Sequence, residues 1–186
     1  VFESTGGRLW TDRGAWLQGR LYEWKGVTMT GTRVTSIDLA SNNLKGAMPD
    51  ITTGLAAVTQ LNISGNELTG IGNISSLVSL QTLDVSNNRL VFTEVAPLLG
   101  SNTNVDYTPQ KTVLTQVRAL LEVGDTYTVD RSVGGADNYR WFKDGILIDQ
   151  SGPAFDISIT DFTSEGSYYV EATANSVLGL TLETKP

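Results

Sequence analysis

The chain has 186 residues, of which 40% are hydrophobic, and carries a formal charge of −7. That length suits one large or two modest domains, and the apolar content is that of a globular chain rather than a disordered one. Cysteine and histidine are both absent, which excludes disulfides, thiol nucleophiles, imidazole bases and the common zinc sites. No run of lysine or arginine points to nucleic acid or an anionic membrane surface, and no apolar span is long enough to insert in a membrane.

Residues 1–33 are rich in tryptophan: Trp10, Trp16 and Trp24, the last opening Trp24-Lys25-Gly26-Val27-Thr28. A helix is predicted over Thr11–Gln18. Residues 34–108 then repeat. Segments beginning at Val34, Val58 and Leu80 each follow L-x-x-L-x-L-x-x-N-x-L, with starts 24 and 22 residues apart. A truncated fourth unit places Val105 and Tyr107 in the strand positions. This periodicity predicts short stacked coils: Ile37 and Leu39 point inward, and Leu61 and Ile63 of the next coil stack on them. Asn42, Asn66 and Asn88 recur at one position. Buried amides there satisfy backbone groups that turn away from any sheet partner, a structural role rather than ligand contact.

These repeats resemble the leucine-rich-repeat family. Leu44-Lys45-Gly46-Ala47-Met48-Pro49 is similar to the plant-receptor subtype, which also occurs in bacterial surface proteins. The resemblance fades along the chain: the second repeat keeps Leu68-Thr69-Gly70 without the proline, and the third loses the glycine. W-x-G-V-T at Trp24–Thr28 resembles the end of that subtype's N-terminal cap, without the usual cap cysteines. The tryptophans then cover the open apolar end of the first coil; a sugar-stacking platform is the competing use.

Residues 109–186 change to period two, with alternating stretches at 126–133, 139–145, 146–148, 155–160, 166–173 and 178–184 separated by Gly- and Asp-containing turns. Such spacing predicts an antiparallel sandwich. Tyr139–Ile146 resembles strand C of an immunoglobulin-like domain, with Trp141 in the core. Asp161–Val170 resembles the approach to strand F, with Tyr168 as the corner tyrosine and Val170 where that family often has cysteine. The resemblance puts the partner position near Arg131. Either strand B is displaced by a residue or two, or Arg131 lies at the edge with its stem packed and its head in water. The expected fold class is therefore mixed: a capped solenoid of about three and a half leucine-rich repeats, then an all-β immunoglobulin-like sandwich.

The candidate ligand-binding residues are those flanking the inward strand positions on the concave face. One column is Ser36, Gln60, Thr82 and Asn104. The next is Asp38, Asn62, Asp84 and Asp106, followed by Ala40, Ser64, Ser86 and Thr108. Carboxylates on strands about 4.8 Å apart repel unless hydrated or bridged by a cation. Hydration accounts for them, and calcium is the alternative, although its six to eight oxygen ligands are not evident. No catalytic residue, metal site or cofactor is expected, because no nucleophile elbow, phosphate loop or metal motif is present. The resemblance implies a recognition or adhesion module at the cell surface or secreted, part of a longer chain, binding a protein or carbohydrate. A structural spacer presenting another domain is the alternative.

Overall fold

The computed structural model describes residues 1–51, 53–100, 102–114 and 117–184. They form two compact units: Val1–Leu90 with Glu94–Gln110, and Val91–Thr93 with Lys111–Pro186.

The first unit is built on strands β1 (Val27–Thr30), β2 (Arg33–Asp38), β3 (Lys45–Met48), β4 (Gln60–Asn62), β5 (Glu67–Ile71), β6 (Thr82–Asp84) and β7 (Asn104–Asp106). Five of them make one sheet in the order β1-β2-β4-β6-β7, antiparallel between β1 and β2 and parallel thereafter. β3 and β5 pair in parallel as a second ladder. The repeat spacing explains the parallel order, since each coil returns the chain to the same place one strand further on. Leu39, Leu44, Leu61, Ile63, Leu68, Leu83, Val85 and Leu90 are all buried. They stack coil upon coil, and no single repeat could hide this surface alone.

A ladder of buried amides holds the turns after the strands. Asn66 Oδ1 accepts hydrogen bonds from the backbone N–H of Asn42 and Leu44, at 2.9 and 3.0 Å. Its Nδ2 donates to the carbonyls of Leu39, Ile63 and Ser64. Asn88 does the same one coil on, accepting from Leu68 N–H and donating to Ile63, Val85 and Ser86. Asn42 reaches back to the main chain of Asp12, accepting its N–H and donating to its carbonyl. The last rung is not asparagine. Gln110 accepts Leu90 N–H through Oε1 and donates to Val85 and Tyr107 through Nε2. The four rungs are 24, 22 and 22 residues apart.

The predicted helix over Thr11–Gln18 is absent. Gly14, Leu17 and Gly19 all have positive φ, which no right-handed helix accommodates. The segment instead wraps the end of the solenoid, with 3₁₀ turns at Gly7–Leu9 and Leu21–Glu23. Phe2, Trp10, Trp16 and Trp24 form a chain of ring contacts with centroids 4.8–6.4 Å apart. The indole N–H of Trp10, Trp16 and Trp24 each donate to a backbone carbonyl, of Thr5, Lys25 and Gln18. The join to the first repeat depends on Gly26. Its φ is +79°, its carbonyl accepts Asp38 N–H, and a Cβ there would lie 1.9 Å from the Asp38 carbonyl oxygen. Only glycine fits.

The second unit holds β8 (Thr126–Asp130), β9 (Asn138–Lys143), β10 (Ile146–Leu147), β11 (Ala154–Ser158), β12 (Tyr168–Ala174) and β13 (Val177–Glu183). One antiparallel sheet runs β10-β9-β12-β13 and another pairs β11 with β8. The two share one apolar core of Val129, Trp141 and Val170, with Tyr127, Tyr139, Phe155 and Ile157 packed against it. Trp141 is fully buried and its indole N–H donates to the Gly152 carbonyl at 2.8 Å. Strand β8 ends before Arg131. The core position sought near Arg131 is filled two residues earlier by Val129, and the Arg131 guanidinium donates to the Asp130 carbonyl. Strand β8 thus faces the core through Val129 and not through Arg131.

Two measurements follow from these contacts. Asn66→Ala strands two buried N–H groups and leaves three carbonyls without its amide; at roughly 1–3 kcal/mol per orphaned buried group, urea unfolding should show a loss of at least about 3 kcal/mol. Separately, hydrogen bonds from the hydroxyl and N–H of Ser132 hold Asp130 below the usual carboxylate range, and Thr163 does the same for Asp161. A folded pKa below the unfolded one stabilises above the unfolded value and is lost as pH falls through the folded value. Carboxyl NMR titration should find both groups low, and Ser132→Ala should raise Asp130 alone.

Candidate functional site

The candidate face is the solvent side of the five-stranded sheet, and strand pairing sets its rows. Ser36, Gln60, Thr82 and Asn104 are direct partners across β2, β4, β6 and β7, and Thr28 of β1 extends the row. Asp38, Asn62, Asp84 and Asp106 form the next row but one, with the inward Ile37, Leu61, Leu83 and Val105 between. All eight candidate side chains therefore stand on one face, because strand residues two apart point the same way.

The two rows differ in how their polar atoms are used. Every member of the acidic row gives its Oδ1 to a local turn. Asp38 Oδ1 accepts the N–H of Ala40, and Asp106 Oδ1 accepts that of Thr108. Asn62 Oδ1 accepts the N–H and hydroxyl of Ser64, at 3.1 and 2.7 Å. Asp84 Oδ1 accepts the N–H and hydroxyl of Ser86, at 3.0 and 2.7 Å. These are Asx turns, in which the side chain bonds the backbone two residues on. They let the chain leave each strand and begin the turn that the amide ladder completes. Asn62 and Asp84 do this with matching geometry, so the position requires an oxygen acceptor and not a charge. By contrast, among the described residues Ser36, Gln60, Thr82 and Asn104 make no side-chain hydrogen bond within the chain, and Gln60, Thr82 and Asn104 are exposed.

The Asx turns were legible as Asp/Asn-x-Ser/Thr at three of the four strand ends, a pattern masked by reading the column as charges. The fourth rung, Gln110, was hidden because a glutamine replaces the asparagine and the repeat consensus has faded by then. Among the described residues no group of three or more His, Cys, Asp or Glu side chains comes together to hold a metal ion, and none of the helices is long and apolar enough to cross a membrane.

The turn role has a measurable signature. Asp84→Asn should leave unfolding free energy within about 0.5 kcal/mol, whereas Asp84→Ala, losing both bonds from Ser86, should cost about 1–2 kcal/mol. Equal losses in chemical denaturation would show that the carboxylate's charge matters instead.

Comparison with known proteins fits this architecture. Residues 32–90 match a leucine rich repeat family model, and residues 79–102 match a second one. A probable LRR receptor-like serine/threonine-protein kinase of Arabidopsis thaliana is 38% identical over 72 residues, covering 38% of this chain and 8% of that protein. A receptor-like kinase of the same plant is 39% identical over 74 residues, covering 39% and 8%. A nodulation receptor kinase of Pisum sativum is 39% identical over 54 residues, covering 27% and 6%. The chain thus spans less than a tenth of the length of these relatives. No solved structure matches it significantly. With its register, its buried leucine positions and its recurring amide, the stacked part of the first unit consists of leucine-rich repeats.

Proposed function

We propose that this chain is a non-catalytic recognition module displayed outside the cell as part of a longer protein. In this reading the solvent face of the five-stranded sheet docks a protein, with a glycan as the other candidate ligand. One observation carries it: the neutral row Ser36, Gln60, Thr82, Asn104 is in register across four strands with its polar ends uncommitted. Amides and hydroxyls both donate and accept, so such a row suits polar backbone or hydroxyl edges of a ligand. The word receptor in the names of the relatives is consistent with surface display.

The same proposal takes the second unit as an immunoglobulin-like sandwich that carries the repeats. Its supports are the buried Trp141 against Val170 and the Tyr168 hydroxyl, which donates back to the Ser164 carbonyl at 3.0 Å. A corner tyrosine bonding backbone a few residues upstream is a hallmark of such folds.

A second reading, a spacer, has its own support: the acidic row is consumed by turns, and the two candidate rows hold no aromatic or arginine side chain of the kind that anchors interfaces. Protein and glycan arrays probed with the chain and with Gln60→Lys/Thr82→Lys/Asn104→Lys separate the two. Recognition predicts hits weakened at least tenfold by the triple variant with an unchanged melting temperature. Empty arrays favour the spacer, and hits indifferent to the variant sink this face as the site.

A further inference from the structure

The outward face of the four-stranded sheet in the second unit brings aromatic and charged side chains together in register. Register sets two rows on it. Leu147, Phe142 and Tyr169 are partners across β10, β9 and β12. Two residues along the strands, Arg140, Glu171 and Glu183 are partners across β9, β12 and β13. The alternate residues Trp141 and Val170 point the other way into the core. Phe142 and Tyr169 stack with ring centroids 4.9 Å apart and planes 6° from parallel. The Arg140 guanidinium lies 5.6 Å from the Phe142 ring centroid and 3.5 Å from the Glu171 carboxylate. Leu147 is 55% exposed and the Arg140 side chain 63%. Phe142 and Tyr169 are half-buried; aromatics with arginine are the residue types that anchor interfaces, and this face is richer in them than the two candidate rows of the repeat sheet.

We propose that this face is a homodimer interface, its partner a second copy of this chain. The reason is that the pattern complements itself. A two-fold axis parallel to the strands, between β9 and β12, lays β9 of one copy over β12 of its partner. Because Arg140 and Glu171 are in register, and Phe142 and Tyr169 likewise, that single operation sets each arginine over a glutamate and each phenylalanine over a tyrosine. An isologous interface then makes every such pair twice. Two sheets pack face to face with strands within about 30° of each other, so no unusual geometry is needed. The footprint is modest: four strands about 4.8 Å apart and some five residues at about 3.4 Å each give roughly 300 Å² of flat contact area. That is well below the ~800 Å² per partner of a standard interface, so the dimer is weak and reversible.

Sedimentation velocity over about 10–500 µM tests this. The chain should pass reversibly from monomer to dimer. Arg140→Glu alone and Glu171→Arg alone should each weaken association at least tenfold, since each makes two like-charge contacts across the axis. Mixing the two variants should restore dimerisation, because each then meets the opposite charge on the other. Gln60→Lys, on the repeat sheet, should change nothing. Near-UV circular dichroism confirms that both single variants remain folded. A chain that stays monomeric at the highest concentration overturns the proposal. So does a dimer indifferent to both substitutions, or a mixture that associates no better than its components.

Discussion

The first unit depends on how a coil satisfies its backbone where no sheet partner exists. Each repeat contributes only three strand residues to the pairing of β4, β6 and β7; the rest of the turn must find partners elsewhere, since a buried N–H or C=O without one is costly. A primary amide is the one neutral side chain that donates twice and accepts twice. Placed inside the coil, Asn66 serves two N–H groups of the preceding turn and carbonyls of both turns at once. The apolar stack supplies driving force, but the amides fix where each turn bends.

Seen this way, the chemistry of the sheet face divides cleanly. Side chains at the strand exits, Asp38, Asn62, Asp84 and Asp106, are components of the turn. Side chains two residues earlier have no structural task and are the part of the face that sequence can vary without disturbing the coil. In the proposed reading this free row is where binding specificity would be written, on side chains held by a rigid scaffold.

Much of this was readable in advance. The inward apolar positions and the asparagine ladder follow from a 22–24-residue period, because period alone decides which residues coincide. What escaped reading shares a physical cause: it depends on backbone geometry that a periodic pattern does not encode. The stretch after Trp10 has enough helix formers for a turn or two, yet positive φ at Gly14, Leu17 and Gly19 redirects it. Strand β1, adding an antiparallel edge before the repeats, carries no repeat signature. In the second unit the alternation located the strands, but it could not choose between Val129 and Arg131 as the residue facing Trp141; packing against Val170 and Phe155 made that choice.

The ladder also has a direction. Asn42 serves Asp12, Asn66 serves the coil of Asn42, Asn88 the coil of Asn66, and Gln110 the coil of Asn88. Each of the bonds named above runs from a rung to its own coil or to the one before it. A coil is thus completed by its successor, and the array ends only where a residue after the last strand can reach back; glutamine, one methylene longer than asparagine, does so at Gln110 with no further coil behind it. Lengthening therefore comes without redesign. A duplicated 22-residue unit placed before Gln110 inherits both its own server and its own client, so the two termini of the array are indifferent to how many coils lie between them.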